Sequence, residues 1–188
     1  MENYTEKLLN QLAHEPSGHD RDHTLRVLNN ALRLAAHYPH ADLEVIRLAC
    51  LVHDLYDHKF GYSDDDRKTN IRILLTPYSI CDQTIARVIT IVNTLSFDSG
   101  NPNHHFDDIE GQIVQDSDRL DALGAIGIAR TFAYGGFKQR PMADSLQHFE
   151  DKLFKLSALM NTPEGRAMSI ERHDYMLAFI AEYKKESL

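Results

Sequence analysis

Val45-Ile46-Arg47-Leu48-Ala49-Cys50-Leu51-Val52-His53-Asp54 is an apolar run that carries a histidine and an aspartate. Its content predicts a helix over about residues 42–57, capped by Asp42 or a neighbour, with the His53-Asp54 pair inside it. Ile46 and Ala49 fall on the same helical face as His53, while Asp54 is rotated by about 100°. Burying a carboxylate without compensation costs roughly several kcal/mol, so buried carboxylates are normally protonated, paired or bound to a metal. Two other segments offer partners: His23 in Asp22-His23-Thr24-Leu25-Arg26-Val27-Leu28, and Asp118 in Gln115-Asp116-Ser117-Asp118-Arg119-Leu120-Asp121. A divalent cation would satisfy both imidazoles and both carboxylates.

Around this run, apolar positions recur at helical spacing almost throughout, and no strictly alternating stretch is long enough to demand a strand, so the fold is expected to be all-α. A short helix over about 2–13 precedes one over about 20–38, whose stripe is Leu28, Ala31, Leu32 and Ala35 and whose first turns hold His23. After the 42–57 helix, polar residues 58–68 read as a loop or lid, and helices follow over about 67–75 and 82–95. Residues 97–107 are loop by composition. One long helix is expected over about 109–132, with Asp118 interrupting a stripe formed by Val114, Ala122, Ala125 and Ala129. Gly111, Gly124 and Gly127 lower its propensity by about 1 kcal/mol each relative to alanine, which points to close helix approach. The Tyr134-Gly135-Gly136-Phe137 stretch is expected to turn the chain, and two amphipathic helices over about 143–160 and 163–185 close it. No repeat or linker divides residues 1–188, which are expected to form a single domain with the metal site between helices.

Composition bounds the function. Hydrophobic residues are 43% and charged residues 26% of the 188, ordinary for a soluble globular chain. A net charge of -8 opposes a broad basic surface tracking a long nucleic acid, while local basic groups could still hold a small anion. No apolar stretch is long enough to span a bilayer and the start lacks a signal-peptide core, so no membrane association and a cytoplasmic location are expected. Oligomeric state is open, a homo-oligomer included. Cys50 and Cys81 show no CxxC spacing and read as structural thiols.

Imidazoles with carboxylates suit Mn, Mg, Fe, Co, Ni or Zn, and a mixed ligand set with open positions leaves room for water and substrate. A cation so held acidifies water and polarises a bound phosphate, which makes hydrolysis the natural chemistry. Taken alone, His53-Asp54 would equally read as a buried histidine held by a carboxylate, and Asp118 could pair with Arg119 or Arg130. The convergence of all four residues favours the metal. Asp116 and Asp121 read as groups behind the ligands or as solvated ones. Two further pairs, His19-Asp20 at a helix start and His173-Asp174 in the last helix, read as capping and structural respectively.

The pattern His23, His53-Asp54, Asp118 resembles the HD-domain superfamily of metal-dependent phosphohydrolases over most of the chain. The resemblance implies an all-helical bundle, one divalent metal held by those four residues, and a phosphorylated small molecule, a nucleotide above all, as substrate. The stretch Glu110 to Arg130 resembles a bacterial subgroup that includes a nucleoside triphosphate pyrophosphohydrolase, which implies cleavage to a monophosphate and pyrophosphate. Asp57, three residues after Asp54, stands where nucleotidase and alarmone-hydrolase relatives commonly place a catalytic glutamate, which implies a role in orienting water or relaying a proton. Binuclear members use extra histidines, but His104 and His105 lie in a stretch of different wording, so one metal is expected. Among the basic residues, Arg26, Lys59 and Arg130 are the expected phosphate ligands, Arg26 because it is one turn from His23 and Lys59 because it follows the pair closely. The alternatives are a monophosphate 5'-nucleotidase, a phosphodiesterase, and, in a different class, a non-catalytic HD protein that senses metal or nucleotide. No suitably framed serine or cysteine nucleophile supports acyl transfer.

Overall fold

The computed structural model describes residues 4–10, 20–56, 61–95 and 106–187. Among these residues every regular element is helical and no strand occurs, as the periodicity predicts. Chain order gives α1 (Tyr4–Asn10), α2 (Arg21–Ala35), α3 (Leu43–Val52), α4 (Asp64–Leu75), a 3₁₀ turn (Thr76–Tyr78) and α5 (Asp82–Thr94). Then come α6 (Ile109–Asp121), α7 (Gly124–Phe137), α8 (Met142–His148), a π-helical turn (Phe149–Leu153), α9 (Phe154–Leu156), a 3₁₀ turn (Ser157–Leu159) and α10 (Pro163–Glu186).

Helix α3 is the centre of the bundle because it is apolar on nearly every side. Val45, Ile46 and Leu48 through Val52 are all buried, and α2, α5 and α6 pack around it, with α1 against one side. A helix apolar all round is stable only when neighbours cover it. Its start is fixed by Asp42, whose side chain accepts from the Glu44 and Val45 N–H groups. Asp42 also receives Arg87 of α5 at 3.0 Å, and its own N–H donates to Glu110 of α6 at 2.8 Å. One staple therefore joins three helices at one end of the core. A second apolar cluster, Leu123, Phe149, Leu153, Leu156, Met176 and Ile180, sits among α7, the 142–159 helical stretch and α10.

The structure corrects the expected elements in three places. Helix α3 stops at Val52, so His53 and Asp54 stand in the turn just past its end and not inside the helix. Side chains satisfy carbonyls that this ending releases: His53 Nδ1 donates to Cys50 O at 2.8 Å, and the buried Arg67 of α4 donates to His53 O. Tyr56 then takes a left-handed conformation, with φ 58, and redirects the chain. The single helix expected over about 109–132 is two helices. Gly124, at φ 72, permits the break, and a Cβ on Gly127 would lie 2.1 Å from the Ala122 carbonyl oxygen. Thus Gly124 and Gly127 serve the break between α6 and α7, and Ala125 and Ala129 belong to a different helix from Asp118. Finally, the Tyr134–Phe137 stretch forms the last turn of α7 instead of a loop.

Candidate metal centre

Three chain segments deliver four donor groups to one place. His23 lies in the first turn of α2, whose N-cap Asp20 accepts from the His23 N–H at 2.8 Å. His53 and Asp54 follow the end of α3, and Asp118 lies one turn before the end of α6. His23 Nε2 is 3.1 Å from His53 Nε2, 3.1 Å from Asp54 Oδ2 and 3.5 Å from Asp118 Oδ1. His53 Nε2 is 3.2 Å from Asp54 Oδ2 and 3.9 Å from Asp118 Oδ1. Ligands about 2.0–2.2 Å from a cation stand roughly 3–3.5 Å apart, the spacing found among His23, His53 and Asp54, with Asp118 slightly farther from His53. His23, His53 and Asp54 are buried and form a cluster able to hold a metal ion, while Asp118 is half-buried and opens the site to solvent.

The hydrogen bonds on the far side of each imidazole decide what the near side can do. A carbonyl oxygen only accepts, so His53 Nδ1 carries the proton given to Cys50 O, and neutral His53 presents a lone pair at Nε2. His23 Nδ1 faces Asp121 Oδ2 at 2.7 Å, and an ionised carboxylate likewise only accepts. Burial alone would raise the pKa of Asp121, but the hydrogen bonds from His23 and Arg26 and the charge of Arg130 hold it below the ordinary carboxylate range. Four electron-pair donors therefore point at one another, an arrangement that requires a cation or a proton. Without a cation a proton takes that place: burial opposes charge on His53, but Asp54 and Asp118 outweigh it and push its pKa up to about 9. The chemistry of the donor set fits a divalent ion.

The remaining expected site residues divide. Arg26 and Arg130 come to the edge of the cluster, where both guanidiniums grip Asp121: Arg26 Nε to Oδ1 at 2.7 Å, Arg26 Nη2 to Oδ2 at 3.1 Å and Arg130 Nη1 to Oδ2 at 2.9 Å. Asp57 and Lys59 lie outside the described residues, as do His19, His104 and His105. Arg119 donates to Leu159 O. The solvated reading of Asp116 and Asp121 fails, since both are buried and fully engaged.

Two buried charged residues frame the site. Asp121 stands behind His23, the first of the two readings that its sequence position allows. Arg67, which the sequence does not single out, is buried and holds the His53 carbonyl. Its spacing with Ile71 and Leu75, the other buried residues of α4, is the pattern that puts it on the inner face.

Comparison with known proteins gives one consistent answer. The HD domain family matches residues 21–123. The YpgQ protein of Bacillus subtilis (strain 168) is 37% identical over 180 residues, which are 93% of this chain and 87% of YpgQ. The crystal structure of Bacillus subtilis YpgQ in complex with ADP is similar at a TM-score of 0.80 with 35% identity, covering 97% of each chain. A crystal structure of an HD-superfamily hydrolase from Bacillus thuringiensis has a TM-score of 0.75 and 36% identity, covering 97% of this chain and 95% of its own.

Proposed function

The chain belongs to the HD domain family, and from that premise we propose that it is a metal-dependent phosphohydrolase of nucleotides, cleaving a nucleoside triphosphate to the monophosphate and pyrophosphate. One divalent cation is held by His23, His53, Asp54 and Asp118. The observation that carries this reading is the convergence of four electron-pair donors whose imidazole tautomers are set by Cys50 O and Asp121. A nucleotide as substrate class draws support from the ADP complex of the Bacillus subtilis relative.

The cation, when bound, supplies acidity to a water molecule and polarises the phosphate it touches. Around it the protein's own residues have distinct tasks. His23 and His53 stay neutral toward the cation because their Nδ1 protons are committed elsewhere. Asp118, the more exposed carboxylate, faces the side from which water and substrate arrive. Asp57 takes the proton as the water oxygen bonds to phosphorus and the phosphorus–oxygen bond of the leaving group breaks; that proton then passes to the leaving oxygen. Arg26, Arg130 and Lys59 offset the charge of the phosphates.

The test is release of pyrophosphate and phosphate from a panel of nucleoside tri-, mono- and cyclic phosphates with Mn, Mg, Co or Ni. Pyrophosphate released from triphosphates by wild type, and lost in Asp54→Ala, is the expected result. Phosphate released from monophosphates alone would replace the triphosphate assignment with a 5'-nucleotidase. A folded, metal-loaded protein inactive on every compound would contradict hydrolysis and favour a sensor.

A further inference from the structure

Asp121 meets the metal site from the rear, at His23 Nδ1. It ends α6 and is buried, and its two oxygens take hydrogen bonds from His23, Arg26 and Arg130. His23 and Arg26 are one turn apart on α2, so Asp121 receives two adjacent side chains of one helix face, with Arg130 arriving from α7. The same end of α6 thus presents Asp118 to the cluster and Asp121 to the rear of a cluster histidine.

We propose that Asp121 is a positioning residue: it locks His23 with its proton on Nδ1 and its lone pair on Nε2, and so prepares the site for the cation. This rests on the reading of the site given above. Three features favour it over a purely structural ion pair. The His23–Asp121 distance, 2.7 Å, is that of a charge-assisted hydrogen bond. With Asp121 at Nδ1, Nε2 is the ring nitrogen left on the cluster side, 3.1 Å from Asp54 Oδ2. Arg26 and Arg130 keep the Asp121 carboxylate in place and charged, and together they leave one positive charge in excess beside the site. A carboxylate behind a metal-bound histidine fixes tautomer and ring orientation, and loss of such a partner typically costs about 10–100-fold in metal affinity.

Asp121→Asn keeps the side-chain shape but removes the charge and can turn an amide N–H toward His23 Nδ1. Calorimetric titration with Mn²⁺ should show one ion per chain in both proteins, with affinity reduced about 10–100-fold in the variant. Equal affinity in a folded Asp121→Asn would overturn this inference while leaving the metal site intact; failure of wild type to bind would overturn both. Should the variant not fold, wild type decides: nitrogen-15 NMR of the metal-free protein should find the neutral His23 ring protonated on Nδ1, and a neutral ring protonated on Nε2 would contradict the assignment.

Discussion

Asp116 and Thr162 are joined by two hydrogen bonds, the Thr162 N–H to Oδ2 at 2.8 Å and the Thr162 hydroxyl to the same oxygen at 2.7 Å. The other carboxylate oxygen accepts from the Asn161 N–H at 2.8 Å, and the Thr162 hydroxyl in turn accepts from the Gly165 N–H at 3.0 Å. A buried acid in the middle of α6 therefore caps the start of α10 and fixes the closing helix against the helix that carries Asp118. Asp116→Ala would orphan the buried Thr162 N–H and the partly buried Asn161 N–H, so a loss of about 2–4 kcal/mol is expected by urea denaturation. Thr162→Val, which removes only the hydroxyl relay, should cost about 0.5–2 kcal/mol.

Gly127 tests the break between α6 and α7. A Cβ there would meet backbone, the Ala122 carbonyl carbon at 2.5 Å as well as its oxygen, so no side-chain motion can relieve the clash. Gly127→Ala should destabilise by about 1–3 kcal/mol despite the better helix propensity of alanine. Because Asp121 and Asp118 end α6, the same variant should weaken Mn²⁺ binding. A thermal melt with and without Mn²⁺ measures both effects.

The helical core around α3 and the four converging residues were legible because α3 is apolar on nearly every side and then abruptly polar at His53-Asp54. Such a break has few physical explanations. The helix break at Ala122–Gly124 was not legible: glycines in a helical pattern read equally as close packing, and only the left-handed φ of Gly124 distinguishes the two. The burial of Asp121 and Arg67 was not legible for a different reason. Charged residues near helix ends are usually solvated, and what buries Asp121 is a partner 98 residues away in sequence.

Glu110 should make stability depend on pH in a defined window. Burial would raise its pKa, but the Asp42 N–H and Arg87 outweigh that and lower it from the ordinary 4.5. A depressed folded-state value means the stabilisation is fully present above pH 4.5 and fades as pH falls through the lower value. Glu110→Gln is therefore expected to be less stable than wild type at neutral pH by about 1–3 kcal/mol. The two proteins should converge in acid. Denaturation curves at neutral pH and at the acid end of the folded range check the sign.

The central claim is that His23, His53, Asp54 and Asp118 hold one divalent cation, and the most direct measurement is Mn²⁺ stoichiometry by calorimetry in wild type, Asp54→Ala and Asp118→Ala. The account predicts one ion per chain in wild type. In both variants binding should weaken by about a hundredfold or more, beyond what loss of an outer partner costs. Absence of saturable binding in wild type, or stoichiometric binding unchanged in both folded variants, would contradict it.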